Sequence, residues 1–194
     1  MQLPRSTRTV KAFALAFLGL LVVPVSASTT KAFTPGVWQG RGQVAGGFSG
    51  RGVSVRVTRG AFAFCLTVAR NGTVSQSKST WVLRQLTLTE RISSSGHVVT
   101  ASGTANGAGS LTGRASGVKL KGAESMIITI TVDGHQITAP TSFNVSTTMP
   151  IYTSSPHTVT GDVALKGRTA QQHAGFSSTE RALYLARPVT HCTL

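Results

Sequence analysis

Acidic side chains are what this chain has least of: five Asp and Glu stand against 19 Lys and Arg in 194 residues, a formal net charge of +14. So few carboxylates, all well separated in sequence, argue against two-carboxylate glycoside hydrolysis, which needs a pair converging on one cleft. Aromatic residues make up only 6%, and no run alternates them with basic side chains. That excludes the stacking surfaces by which proteins hold single-stranded nucleic acid, so no specific nucleic-acid partner is expected. No apolar stretch reaches the ~20 residues a membrane-crossing helix requires. A Gly-x-Ser-x-Gly elbow, a His-Glu-x-x-His pair and a phosphate-binding Gly-x-x-x-x-Gly-Lys-Ser/Thr loop are all missing.

The one sizeable apolar run is short and N-terminal. Arg5, Arg8 and Lys11 precede Ala12 to Val23, and the small residues Val25-Ser26-Ala27 follow, the layout of a secretory signal peptide over residues 1–27. Residues 28–194 then read as one exported domain, large enough to bury a real core. Three basic residues and no acid fall within the first 27, so the remainder carries a formal charge of +11. The charge is also uneven, because every basic residue from Lys31 to Arg84 precedes the first acid, Glu90. The positive field so produced attracts polyanions, among which anionic cell-envelope polymer is the candidate outside the cytoplasm. Arg41, Arg51, Arg56, Arg59 and Arg70 are the residues expected to carry it. Cys65 and Cys192, the only cysteines of an exported chain, are expected to form one structural disulfide.

After Pro35 the sequence is dominated by strand signals, short runs of Val, Ile, Thr and Phe punctuated by Gly, Asn-Gly, Asp-Gly and Ser clusters. Val53, Val55 and Val57 alternate with polar residues. Phe62, Phe64, Leu66 and Val68 repeat the pattern opposite Ala61, Ala63, Cys65 and Thr67, which sets Cys65 on a small-residue face that the C-terminal tail can cross. Asn71-Gly72 and Asp133-Gly134 each suit a type I′ hairpin, in which both central residues need positive φ. Between Leu83 and Leu86 the apolar parity changes, which calls for a bulge or a change of packing environment. Further strands are expected over His97–Ala105, Ser110–Lys121, Met126–Val132, Ser142–Thr148, Val159–Leu165 and Arg181–Ala186, with a loop from Pro150 to Pro156. The last strand is read from Leu183 and Leu185. About nine to eleven antiparallel strands without an amphipathic helix give an all-β domain, for which a barrel is favoured slightly over a sandwich.

Two Ser-x-x-Lys matches, Ser75–Lys78 and Ser116–Lys119, lie in sequence that reads as strand. Residues three apart on a strand face opposite sides, so neither pair suits serine activation. His97, His135, His157, His173 and His191 are scattered with no two at metal-binding spacing, and no metal or cofactor is expected. Gly36-Val37-Trp38-Gln39-Gly40-Arg41-Gly42 resembles the Gly-x-Trp-x-Gly-x-Gly opening strand of nitrobindin-like haem-binding barrels, and a Trp near the first strand also occurs in lipocalin-like barrels. The resemblance covers seven residues, and Gln43 to Gly52 lacks the Tyr-Pro element of that family. A histidine near the C-terminus ligates iron there, which makes His191 the positional candidate.

The expectation that follows is a secreted or cell-envelope-associated β domain without catalytic machinery, holding a polyanion on a basic surface. The alternative is a carrier of small apolar ligands, in a barrel cavity lined by Phe62, Phe64, Met126 and Ile128. A secreted enzyme stands third.

Overall fold

The computed structural model describes residues 30–50, 53–94, 97–165, 177–178 and 180–194. The expected signal peptide, Arg51 and His173 lie outside the described residues. Eleven strands account for most of the rest: β1 (Gly36–Ala45), β2 (Gly47–Gly50), β3 (Val53–Val68), β4 (Thr80–Ser94), β5 (His97–Arg114), β6 (Gly117–Val132), β7 (His135–Thr148), β8 (Ile151–Ser154), β9 (Val159–Leu165), β10 (Ser177–Ser178) and β11 (Glu180–Pro188). They form one antiparallel sheet in the order β7-β6-β5-β4-β3-β1-β11-β9-β8, with β2 bridging β3 and β10 at the side. The ends of this path come together, β7 lying beside β9 without joining its ladder, so the sheet curls round a common core and is left unclosed. The all-β expectation holds, and among the described residues the only helical piece is a 3-10 turn, Gln76–Lys78.

Period-2 alternation decides which side chains enter the core. On β3, Phe62, Phe64, Leu66 and Val68 are buried while Ala61 is exposed and Thr67 half-buried; on β6, Val118, Leu120, Met126 and Ile128 are buried while Lys119, Lys121, Ser125 and Ile127 are exposed. The runs around Val57 and Phe62 belong to a single strand, because a bulge between Val57 and Ala61 adds the residue needed for both to face inward. The same irregularity leaves Arg56 and Arg59 exposed. Opposite it, β4 slips register between Leu83 and Leu86, where the sequence parity changes.

The connections differ from expectation in three places. Asp133 and Gly134 both have positive φ, 48° and 88°, and make the expected tight hairpin between β6 and β7. At Asn71-Gly72 only the glycine does; Asn71 instead accepts a bond from the Thr73 amide through its side chain at 3.0 Å, and the chain makes the 3-10 turn before β4 begins. A two-residue turn at Ala115-Ser116 interrupts what sequence presents as one strand over Ser110–Lys121. Ala115 holds that turn through backbone bonds, its N–H to Gly72 O at 2.9 Å and its carbonyl to the Phe33 N–H at 3.1 Å. The Pro150–Pro156 stretch is not all loop, since β8 starts at Ile151 and pairs with β9.

Aromatic rings fill the core. Trp38, Trp81, Phe33, Phe62, Phe64 and Phe143 are all essentially inaccessible. Phe33 meets Trp38 edge-on at 5.4 Å between centroids, and Phe64 meets Tyr184 likewise at 5.3 Å, the geometry the aromatic quadrupole favours. The glycines of the first strand make room for them: a Cβ on Gly40 would fall inside the Phe64 ring, and one on Gly42 would strike the backbone of Leu183. The Gly-x-Trp-x-Gly-x-Gly spacing thus has a packing cause in this chain. Tyr184 donates its hydroxyl proton to Pro150 O at 3.0 Å, and burial raises its pKa above the ordinary tyrosine range.

Candidate functional site

The outward alternates of β5, β6 and β7 are mostly hydroxyl, amide and ammonium groups, including Thr100, Ser102, Thr104 and Asn106, then Lys119, Lys121 and Ser125, then Ser142, Asn144 and Ser146, all exposed. A β-barrel that crosses a membrane presents an apolar band outward and a polar lumen. Among the described residues of β5 to β7 the buried side chains include Phe143 and the outward ones are mostly polar, with Ile127 an exposed apolar exception. Among the described residues no helix is long and apolar enough to cross a membrane either.

Every lysine and arginine whose exposure is described lies on the exposed surface, Arg41, Arg56, Arg59 and Arg70 among them. The acids behave differently. Glu124, Asp162 and Glu180 are 1%, 2% and 0% exposed, which leaves Asp133 as the exposed acid among those described. The outer face is therefore more positive than composition alone implies. The four described arginines of the expected set do not meet at one point. Arg56, Arg59 and Arg70 are strung along and just beyond β3, and at ~3.3 Å per residue Arg56 and Arg70 stand on the order of 45 Å apart. Arg41, on the neighbouring β1, has Arg84 in the same groove, of about 390 Å³, together with Ala61, Ala63, Val82, Thr193 and Leu194.

That groove exists because the C-terminal tail crosses the outer face. Cys65 and Cys192 form the expected disulfide, with Cα atoms 5.8 Å apart, on the small-residue side of β3. Val189 N–H donates to Val37 O at 2.9 Å, and the Gln39 side-chain amide donates to Thr193 O. His191 sits exposed on this tail, on the face opposite the core, so it cannot serve as an interior ligand. His135 and His157 are exposed as well, and among the described residues no three His, Cys, Asp or Glu side chains gather closely enough to hold a metal ion.

Sequence reasoning missed one constellation. Glu124 of β6 and Glu180 of β11, far apart along the sheet, are hydrogen-bonded to each other in the interior. Burial pushes the Glu124 carboxyl up to about 7, an effect the bond from Glu180 partly offsets. The available signal was parity: Glu124 alternates in step with Leu120, Met126 and Ile128. The pair touches no solvent and its carboxyls are in direct contact, leaving no space for the sugar and water that a glycosidase places between its two acids. It is a structural pair. A second interacting set lies on the outer side of β9 and β11: exposed Arg181 forms an ion pair with Asp162, which it and its neighbours cover, and hydrogen bonding to Asp162 raises the pKa of the exposed Tyr152 phenol.

Of the two Ser-x-x-Lys matches, Ser75 to Lys78 spans the 3-10 turn rather than a strand, with Lys78 exposed, and Ser116 lies in the turn before Lys119 on β6.

No family model and no curated protein matches this chain. Solved structures share its fold, and two of them are of one protein. One is Ail, the attachment invasion locus protein of Yersinia pestis, at 10% identity and a TM-score of 0.56 over 80% of this chain and all of that one. The other is the same Yersinia pestis protein in complex with the heparin analogue sucrose octasulfate, at 10% identity and a TM-score of 0.55 over the same shares. At such identity the likeness concerns the path of the sheet, and no residue role transfers.

Proposed function

We propose that this chain is a secreted, cell-envelope-associated β domain that works without catalysis and holds an anionic polymer on its outer face. The observation that carries the reading is the segregation of charge, cations outward and Glu124 and Glu180 inward, while Asp162, the acid covered on the outer side, is matched by Arg181. A field of this kind gathers a flexible polyanion without demanding one pocket, which agrees with arginines spread along β3 and β1 rather than focused. The complex of Ail with a heparin analogue supports it to this extent: a protein of this fold holds a sulfated ligand. Packing speaks against the carrier alternative, since Phe62, Phe64, Met126 and Ile128 are at most 3% exposed and belong to the common core.

The test is retention of the protein on purified anionic envelope polymer against a neutral polymer, across a salt series. Retention at low salt that falls steadily as salt rises supports the reading, because exposed charges are screened beyond ~8 Å at physiological ionic strength. Each of Arg41→Gln, Arg56→Gln and Arg59→Gln weakens retention by a similar modest step. Retention that ignores salt, or none at low salt, overturns it.

A further inference from the structure

Large apolar side chains stand exposed at Ile127 on β6 and Ile137 on β7, and on β11 two of them lie beside arginines. Alternation read from Leu183 and Leu185 sends them inward, yet β11 turns Ala182, Tyr184 and Ala186 into the core and leaves Leu183 65% and Leu185 41% exposed. The reason is internal: Tyr184 packs edge-on against Phe64 and reaches Pro150 O with its hydroxyl, contacts that only the inward parity permits. The leucines are left in water beside cations. Arg41 is the direct register partner of Leu185 across β1 and β11, and Arg187 follows two residues along the same face. Arg181, which precedes Leu183, is paired with Asp162, the register partner of Leu183 on β9, so the cations of the strip left for a partner are Arg41 and Arg187. Tyr152, 45% exposed, completes the strip. Two shallow grooves run along it, one of about 550 Å³ that includes Tyr152, Arg181 and Leu183, the other of about 410 Å³ that includes Arg41, Leu185 and Arg187.

The chemistry of the strip selects its occupant. A soluble polyanion satisfies the guanidinium groups but leaves both leucines hydrated. A second copy of the chain, docked face to face, covers the leucines but opposes arginine to arginine. The surface of an anionic bilayer meets both demands at once, with phosphate headgroups for the guanidinium groups and the acyl boundary for leucine and tyrosine.

We propose that the outward face of β11, with Arg41 of β1 and Tyr152 of β8, is a docking surface for an anionic lipid bilayer, on which the domain lies without crossing it. The mostly polar outward faces of β5 to β7 then remain in water, away from the lipid. This rests on the polyanion reading only for the charge; the leucines are additional to it.

Flotation with phosphatidylcholine vesicles, with and without a third of phosphatidylglycerol, tests the proposal. The protein is expected to float with the anionic vesicles and not with the neutral ones. Arg41→Gln and Arg187→Gln should each weaken partitioning about fivefold, the usual effect of one basic residue at an anionic surface. The double variant Leu183→Ser with Leu185→Ser, which keeps every charge, should weaken it about tenfold or more, since two apolar side chains lose their burial. Both leucines are on the surface, so an unchanged circular dichroism spectrum is expected to certify the fold of that variant.

Vesicle binding that the leucine variant retains in full overturns the docking surface, and retention on polymer in the same preparation would leave the polyanion reading standing. Failure on both vesicles and polymer removes both readings. Self-association of the wild type that the leucine variant abolishes, without vesicle binding, assigns the strip to a second copy and likewise overturns the proposal.

Discussion

The Trp81 indole occupies the space that a side chain at Gly122 would need. A Cβ on Gly122 would fall 2.7 Å from Trp81 Cζ2 and closer still to the backbone oxygen of Ala108, while Trp81 Nε1–H donates to Lys121 O at 3.0 Å and pins the ring in place. Neither neighbour can yield cheaply, one being backbone and the other a buried, hydrogen-bonded ring. Gly122→Ala is therefore expected to destabilise the fold by about 1–3 kcal/mol through overpacking, near the upper end of that range. Gly117→Ala, where a Cβ meets nothing within 4 Å, is the control and should be close to neutral. Urea midpoints at constant slope measure both.

The Glu124–Glu180 pair predicts an unusual pH dependence. Burial raises the Glu124 carboxyl from 4.5 to about 7, so the folded protein binds a proton that the unfolded chain releases over that window. Stability is then greatest below pH 4.5 as far as this group is concerned, falls as pH rises toward 7, and levels off above it, by up to about 3 kcal/mol. Glu124→Gln should flatten this part of the curve. Denaturant midpoints of wild type and variant from pH 4 to 8 decide it, and a difference between them that does not vary with pH would show that Glu124 does not titrate there.

Reducing the Cys65–Cys192 bridge should lower stability by roughly 4 to 5 kcal/mol in the chain-entropy view, because the two residues are 127 apart. The thermal midpoint should fall on adding reductant, and the Cys65→Ala with Cys192→Ala variant should melt at the lowered midpoint whether or not reductant is present. Equal midpoints in all three would show that the crosslink constrains little of the unfolded chain.

What sequence made legible, and what it did not, follows from how far each signal reaches along the chain. Alternation at Phe62 to Val68 is a local pattern, and it gave both the core face and the position of Cys65. The parity change from Leu83 to Leu86 was equally local and marks a real slip in register. The turn at Ala115-Ser116 was hidden because it lacks the Asn-Gly or Asp-Gly pair of the other hairpin signals, and what holds it, Gly72 and Phe33, is distant in sequence. Leu183 and Leu185 misled about β11, since hydrophobicity alone ranks them above Ala182 and Ala186, whereas the space beside Phe64 accepts Tyr184 and small residues. The meeting of Glu124 and Glu180 depends on the curling of the whole sheet, which no local period encodes.

The order of the sheet sets the order in which the protein can be completed. β1 lies between β3 and β11, with Trp38 opposite both Leu66 and Pro188, so half of the first strand's backbone bonds wait for the last strand. Synthesis therefore yields a chain whose β1 has an unfilled edge until β11 has emerged, and ladders of such long reach form slowly. Until then that edge is open to any other extended chain, and the interval between synthesis and closure is when this protein most needs protection from its own copies.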